Sequence, residues 1–201
     1  MNLSKEGFDH LVRFEGMYGK VYDDVASESE KRKGLVSCDA AQGTPTIGIG
    51  YVIKASWIDE CNKYMDYLRD GDKTLSESEQ IQLFNDHLPV YENWVNKAVS
   101  VPINQKMFDA LLIHVFNVGS GSSSFKNAVS FLNKKDYENS AASIRDGAKK
   151  AIGGQKLSGL AKRRNFEADY FLEGVNDLTG ISNKQRLLLL SILGSVFAAL
   201  V

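Results

Sequence analysis

The 201-residue chain holds only two cysteines, three prolines, three histidines and two tryptophans. Cys38 and Cys61 are too few for a secreted disulfide scaffold and lack metal-ligand spacing, so both are expected as reduced thiols. The scarcity of proline, with no repeat or low-complexity tract, excludes collagen-like, disordered and solenoid classes. His10, His87 and His114 share no spacing suited to a metal, and neither a metal nor another cofactor is expected. No Ser-His-Asp order, CxxC pair or phosphate loop stands out. The stretch 119–124 is rich in Gly and Ser but lacks the Lys-Ser/Thr of a nucleotide loop. Near the start stand Glu6 and Asp9 and no apolar run, which does not read as a signal peptide and predicts synthesis in a cytoplasm.

Neither sign of charge dominates. The 24 Lys and Arg against 25 Asp and Glu leave a net charge of −1, so no global field favours nucleic acid and no such partner is expected. Residues 1–100 carry 11 basic and 17 acidic side chains, residues 101–201 carry 13 and 8, and the stretch 126–164 alone carries 10 and 3. Such asymmetry suits either a face that meets a polyanion or a solvated helical surface.

What is present is ordinary globular material, 43% apolar, 24% charged and 10% aromatic. A chain of ~200 residues can bury roughly 70% of its unfolded surface. Helix signals dominate. Ser4 caps a first helix with Phe8, Leu11 and Val12 on its apolar face, ending near Glu15. Ser76 to Glu79 is a capping box, and Pro89 is expected to bend or end the helix it opens. Asn104 caps a helix through Met107, Leu111 and Val115, and further helices fit 125–133 and 137–146. Ser158 caps a last helix over 159–173, with Gly174 at its end. Strand-like sequence is confined to 17–53, at Val21-Tyr22, Leu35-Val36 and Thr46 to Ile53. The predicted fold class is α+β, mainly α-helical, with a small antiparallel hairpin lobe and a larger helical lobe. The N-terminal helix is expected to pack back onto the larger one.

The predicted organisation is a catalytic domain over 1–174, a linker over 175–186 and an apolar tail over Leu187–Val201. As a helix the 15-residue tail would be roughly 22 Å long, short of the ~30 Å bilayer core. It reads as a membrane insert, an interfacial anchor or a buried terminal helix.

Two carboxylates could carry chemistry. Glu15 ends the first helix beside Phe14, and apolar packing around a carboxyl group favours the neutral form that a general acid needs. Asp24 follows nine residues later. Cleavage of a glycosidic bond uses such a pair, one acid for the leaving oxygen and one carboxylate for water or the sugar cation. Among 25 acidic residues this spacing also recurs by chance.

The surrounding residues decide between these readings. Phe14-Glu15-Gly16, then Tyr22-Asp23-Asp24-Val25, then Thr46-Ile47-Gly48-Ile49-Gly50-Tyr51 resembles the active-site signature of phage-type lysozymes. That muramidase family includes the T-even phage enzyme and the lambdoid endolysins. Pro102 to Leu111 and Phe116-Asn117-Val118-Gly119 are similar to its central helix and the turn after it. Ser158 to Arg164, with Glu167, is similar to its last helix. The resemblance covers residues 4–174 in order and implies a lysozyme-like two-lobed fold.

It also implies an endolysin that hydrolyses the β-1,4 bond between N-acetylmuramic acid and N-acetylglucosamine. Glu15 would be the general acid. Asp24 would position water or stabilise the oxocarbenium-like transition state, and the Thr46 hydroxyl would help to hold the water. Gly48 and Gly50 would let the hairpin backbone approach the sugar, with Tyr51 and Phe116 as further substrate contacts. For Phe116, a core position is the competing reading. Tyr51 stands where many members have His. Arg163 and Arg164 read as helix packing and surface charge, with glycan or peptide-stem contact as the alternative.

One departure matters. Asp24 and Thr46 lie 22 positions apart, a far wider gap than the family pattern has. The insert, residues 27–44, is expected as an exposed loop or extra hairpin. It raises Asp39, seven residues before Thr46, as the rival second carboxylate. The expected partner is a peptidoglycan strand, with membrane contact through Leu187–Val201, and the expected state is a monomer. The resemblance implies accumulation in the host cytoplasm and release to the periplasm and wall through a holin or another membrane lesion. Alternatives are a toxin or tail-associated lysozyme of the same fold, or a wall-binding protein whose tail permeabilises membrane.

Overall fold

Local sequence signals set most helix starts in the computed structural model, which describes residues 1–53, 58–147 and 158–180. The chain divides into two compact units, Asp9–Val90 and a second made of Met1–Phe8 with the chain from Tyr91 onward. The first helix, α1 (Lys5–Glu15), opens where Ser4 Oγ accepts the Gly7 N–H at 3.0 Å. Three strands follow in sheet order β1-β2-β3, all antiparallel: β1 (Tyr18–Asp23), β2 (Pro45–Gly48) and β3 (Tyr51–Val52). Tyr22 stands opposite Thr46, Asp23 opposite Pro45 and Ile47 opposite Tyr51. Side chains alternate across a strand, so Val21 and Ile47 share the inner face. With Ile53 they form a fully buried core, flanked by Leu35, Tyr64, Leu75 and Leu83.

The insert is neither an open loop nor a hairpin. It folds as α2 (Glu28–Lys33) followed by a 3₁₀ turn at Cys38–Ala40. Ser27 caps α2, acids occupy its first turn and Lys31, Arg32 and Lys33 its last, and Gly34 ends it at φ 81°. Leu35 makes no ladder; its N–H donates to the Val21 carbonyl at 2.7 Å and its own carbonyl accepts from the Arg69 N–H at 2.7 Å. The helix is strapped to β1. The Tyr18 hydroxyl donates to Glu28 Oε2 at 2.5 Å, and Lys31 Nζ lies 5.8 and 5.6 Å from the Tyr18 and Tyr22 ring centres. Burial, then the Glu28 bond, pushes the Tyr18 pKa up to about 12.

Cys38 and Cys61 are not free thiols. They form a disulfide, with Cα atoms 6.5 Å apart, that ties the 3₁₀ turn to α3 (Ile58–Lys63). No sequence signal pairs two cysteines 23 residues apart; only the fold of the insert does.

The capping box at Ser76 forms as expected. Its N–H donates to Glu79 Oε2 at 2.7 Å and its Oγ accepts the Glu79 N–H at 3.3 Å, opening α4 (Glu77–Ala98). Pro89 lies inside this helix and does not end it. It removes one backbone donor, and the turns on either side carry the helix on.

In the second unit, α5 (Gln105–Val118) starts where Asn104 Oδ1 accepts the Met107 N–H at 3.1 Å. Met107 to Val115 is buried without interruption, which marks a helix enclosed on all sides. Each large apolar side chain so enclosed contributes about 1.5–3 kcal/mol. Helix α5 packs on α6 (Ser123–Leu132) and α8 (Ser158–Thr179), and α7 (Tyr137–Asp146) packs on α6 and α8. Helix α8 does not stop at Gly174, which is a packing position. Asn104 Nδ2 donates to its carbonyl at 2.6 Å, and a Cβ there would meet Met107 Cγ at 2.7 Å. The expected linker from 175 is therefore helical as far as Thr179. The N-terminus joins this unit: the Ser4 N–H and hydroxyl donate to the two oxygens of buried Asp109, at 3.1 and 2.5 Å. The apolar tail Leu187–Val201 lies outside the described residues.

Arg163 and Arg164 supply packing rather than surface charge. Both are buried with Glu167 and His114. Glu167 accepts from Arg163 Nε at 2.9 Å and from Arg164, and lies 2.8 Å from His114 Nδ1. His114 Nε2 lies 2.9 Å from Ser124 Oγ. Burial would raise the Glu167 pKa, but the His114 bond and the arginines outweigh it and hold the carboxylate ionised. Burial pushes His114 down, against its Glu167 bond and with the push of both arginines, so the ring is neutral.

Two outcomes are expected. Cys38→Ser should lower the unfolding free energy by about 2–4 kcal/mol. Chemical denaturation of the oxidised wild type, the reduced wild type and the variant checks this, the last two coinciding. For His114, the folded form binds fewer protons than an unfolded histidine titrating near pH 6.5. Its contribution is present above about pH 6.5 and lost as pH falls below it. Melting curves between about pH 7 and 5 should fall more steeply for wild type than for His114→Gln; equal slopes would remove His114 from the account.

Candidate active site

The strand register places two of the predicted residues, Asp24 and Thr46, with Tyr22 on one surface of the Asp9–Val90 unit. Tyr22 and Thr46 are direct cross-strand partners. Asp24 lies two positions after Tyr22, hence on the same side of the chain. The backbone pairing continues past the strand ends, with the Asp24 N–H donating to the Thr44 carbonyl at 3.2 Å. Asp24 Oδ1 accepts the Thr44 N–H at 2.7 Å. The Thr46 hydroxyl is buried and donates to the same Thr44 carbonyl at 3.0 Å. The backbone of one residue, Thr44, therefore positions both the Asp24 carboxylate and the Thr46 oxygen.

Glu15 reaches this group from the end of α1 and is half-buried. Its link to Asp24 is Tyr22. Burial drives the Tyr22 pKa far above the ordinary phenol range, and the charges of Glu15, Tyr18 and Asp24 push it the same way. The Gly50 N–H, which donates to the phenol oxygen, opposes them. A neutral phenol thus stands within electrostatic reach of both carboxylates. Tyr22 belonged to the motif but had no role assigned from sequence; its two-residue spacing from Asp24 in a strand was the available signal.

Asp23 is a structural neighbour. It is buried and accepts backbone N–H groups from Gln42 at 2.8 Å, Gly43 at 3.0 Å and Val25 at 3.1 Å. Burial alone would raise its pKa, yet those three backbone donors hold it below its usual value. It clamps the returning end of the insert. Gly43 must be glycine at this clamp, because a Cβ would lie 2.1 Å from Asp24 Oδ1 and 2.8 Å from Asp23 Oδ1.

Asp39, the rival carboxylate, sits exposed in the 3₁₀ turn, off the ladder that carries Asp24 and Thr46. Gly48 and Gly50 take φ of 65° and 67° on either side of buried Ile49, a hairpin geometry that a side chain would strain. Tyr51 lies opposite Ile47 and so on the core face, away from Thr46. Its ring stacks on His87 at 4.4 Å and meets Tyr64 at 6.1 Å. Phe116 belongs to the other compact unit, where its ring lies 4.5 Å from that of Tyr91. Among the described residues, no group of three or more His, Cys, Asp and Glu could hold a metal.

A family model for phage lysozyme matches residues 12–167, more than half of the chain. The chain belongs to the phage lysozyme family. The endolysin of Bacillus phage B103 is 28% identical over 174 residues, covering 87% of this chain and 55% of that protein. This chain thus spans about half the length of that relative. The endolysin of Salmonella phage P22 is 27% identical over 146 residues, 70% of this chain and 80% of the other. Among solved structures, a P22 lysozyme variant matches with a TM-score of 0.61 at 26% identity, covering 86% of this chain and 99% of that one. The α+β architecture expected from the motifs is therefore that of its relatives, with the insert folded onto β1 as α2.

The clamp around Asp24 makes a sharp expectation. Gly43→Ala should cost about 1–3 kcal/mol, through overpacking against both aspartates. Gly121→Ala, with nothing within 4 Å of the added carbon, should stay within about 0.5 kcal/mol of wild type. Denaturant titrations of the two variants side by side test the contrast.

Proposed function

We propose that this chain is a phage endolysin, a muramidase that hydrolyses the β-1,4 bond between N-acetylmuramic acid and N-acetylglucosamine in bacterial peptidoglycan. The observation that carries the reading is the grouping of Glu15 and Asp24 about the buried Tyr22 phenol, with Thr46 as its ladder partner.

In this reading Glu15 is the general acid. It gives its proton to the glycosidic oxygen as the C1–O bond breaks and positive charge develops on the sugar ring. Asp24, anchored by the Thr44 N–H, is the second carboxylate. It takes the proton of an attacking water or stabilises the oxocarbenium-like charge. The Thr46 hydroxyl has its hydrogen committed to the Thr44 carbonyl. Its lone pairs are therefore turned to accept a hydrogen bond from that water. Tyr22, held neutral, adds no negative charge to compete with either carboxylate. Gly48 and Gly50 shape the hairpin that approaches the sugar. Tyr51, expected as a substrate contact, is instead a supporting residue in this reading, because its ring is stacked on His87 in the core shell. Neither metal nor cofactor takes part.

Asp24 is preferred to Asp39 because it shares the Thr44 peptide with Thr46, whereas Asp39 is anchored beside the disulfide. We place synthesis in the host cytoplasm and action at the wall. The disulfide supports an oxidising site of action, since cytosolic thiols are kept reduced. The proposed state is a monomer, with 1–174 as the catalytic part and Leu187–Val201 as a membrane-contacting tail.

Turbidity loss of chloroform-treated Gram-negative cells tests the assignment. Glu15→Gln and Asp24→Asn should each slow clearing by about 10²–10⁴-fold, while Asp39→Asn clears within about twofold of wild type. Clearing by Glu15→Gln at the wild-type rate would overturn the muramidase reading. Loss in Asp39→Asn with retention in Asp24→Asn would exchange the two aspartates.

A further inference from the structure

The insert builds a second cavity beside the proposed catalytic carboxylate. It has a volume of about 320 Å³, and Asp23 and Val25, the residues on either side of Asp24, line it. Gly43 joins the two places: its N–H donates to Asp23 Oδ1 at 3.0 Å, and a Cβ added to it would lie 2.1 Å from Asp24 Oδ1. The apolar part of the lining is small and open: Val25 and Val36 are 64% and 53% exposed, large values for valine, and Ala26 and Ala40 add methyl groups.

At its edge stands Arg69, held by the insert itself. Its backbone N–H donates to the Leu35 carbonyl at 2.7 Å, Nε donates to the Gly34 carbonyl at 2.8 Å and Nη2 to Glu30 Oε2 at 3.2 Å. Arginine has five guanidinium N–H donors, and among the described residues these two bonds use two of them. Arg69 lines the cavity together with Glu30, its ion-pair partner, and the other three N–H groups of its fork make no bond among the described residues. Such a fork suits a carboxylate, and fixing it beforehand reduces the ordering cost of binding.

We infer that the insert forms a subsite for the stem peptide of peptidoglycan, with Arg69 receiving a stem carboxylate and Val25 and Val36 receiving its small alanyl side chains. This rests on the muramidase reading. The chemistry of the lining favours this occupant. A stem peptide combines methyl side chains with carboxylates, and it is attached to the same muramic acid ring whose glycosidic bond Asp24 would help to break. A cavity one residue from Asp24 is placed to meet it.

The test compares two strands of equal glycan length, one bearing stem peptides and one stripped of them by an amidase. Wild type should show a higher kcat/KM on the stem-bearing strand. In Arg69→Gln and in Val36→Asp, the ratio of the two kcat/KM values should fall at least about tenfold, the scale of one charge-assisted hydrogen bond. Arg69 also ties down the insert; Val36 is exposed and bears no such load, so Val36→Asp decides if Arg69→Gln fails to fold. A wild-type ratio near one, or a Val36→Asp ratio equal to that of wild type, overturns the subsite while leaving the muramidase reading intact. Failure of wild type to cut either strand overturns both.

Discussion

Thr44 donates its N–H to Asp24 Oδ1, and its carbonyl accepts both the Asp24 N–H and the Thr46 hydroxyl. The proposed chemistry depends on the backbone of this one residue, because its N–H and its carbonyl together fix a carboxylate and a hydroxyl next to each other. It holds only while Gln42 and Gly43 stay docked on Asp23, whose carboxylate remains ionised through three backbone donors despite being buried. Removing such a partner would leave a buried charge unsatisfied, a cost of at least 1–3 kcal/mol. The rest of the small sheet, from the Tyr22–Thr46 pair to the Val21 and Ile47 core, is the frame that brings these residues into register.

The sequence showed its helices through caps and its site through a motif. Ser4, Ser76 and Asn104 each make the cap bond expected of them, because a cap is a local contact between residues three apart. Ser27-Glu28-Ser29-Glu30 carries the same capping signal as Ser76 to Glu79, and α2 follows it; charge alone had suggested a loop. Neither Pro89 nor Gly174 ends its helix. Pro89 is exposed on α4 and removes only its own backbone donor, whereas Gly174 is kept inside α8 by packing, since its lack of a side chain lets the helix close on Met107.

What could not be read were the contacts that join distant segments. Cys38 and Cys61, the Arg69 clasp on Gly34 and Glu30, and the docking of the α8 cluster on His114 all depend on separate elements being brought together. For the two arginines, helix packing together with surface charge was the reading from sequence, and the structure keeps the packing alone. Their burial is tolerable because ionised Glu167 lies three and four residues away on the same helix, while His114, brought from α5, is neutral and adds no further positive charge.

The insert shows why the spacing from Asp24 to Thr46 is a poor guide to geometry. A ladder that closes at Asp23 opposite Pro45, and continues at Asp24 opposite Thr44, fixes both ends of the intervening segment next to each other. Whatever lies between must leave and return at one place, and closing a longer loop costs only about 0.6 kcal/mol for each doubling of its length. A family fold can therefore accept α2 and its 3₁₀ turn without moving the Asp24 carboxylate relative to Thr46. The same constraint separates the two candidate aspartates. Asp24 is placed by the ladder, so its geometry survives the insertion, whereas Asp39 is placed by the inserted segment and answers to the disulfide. The intact spacing from Glu15 already favoured Asp24, and the hydrogen-bonded closure of the loop adds a physical reason for the same proposal.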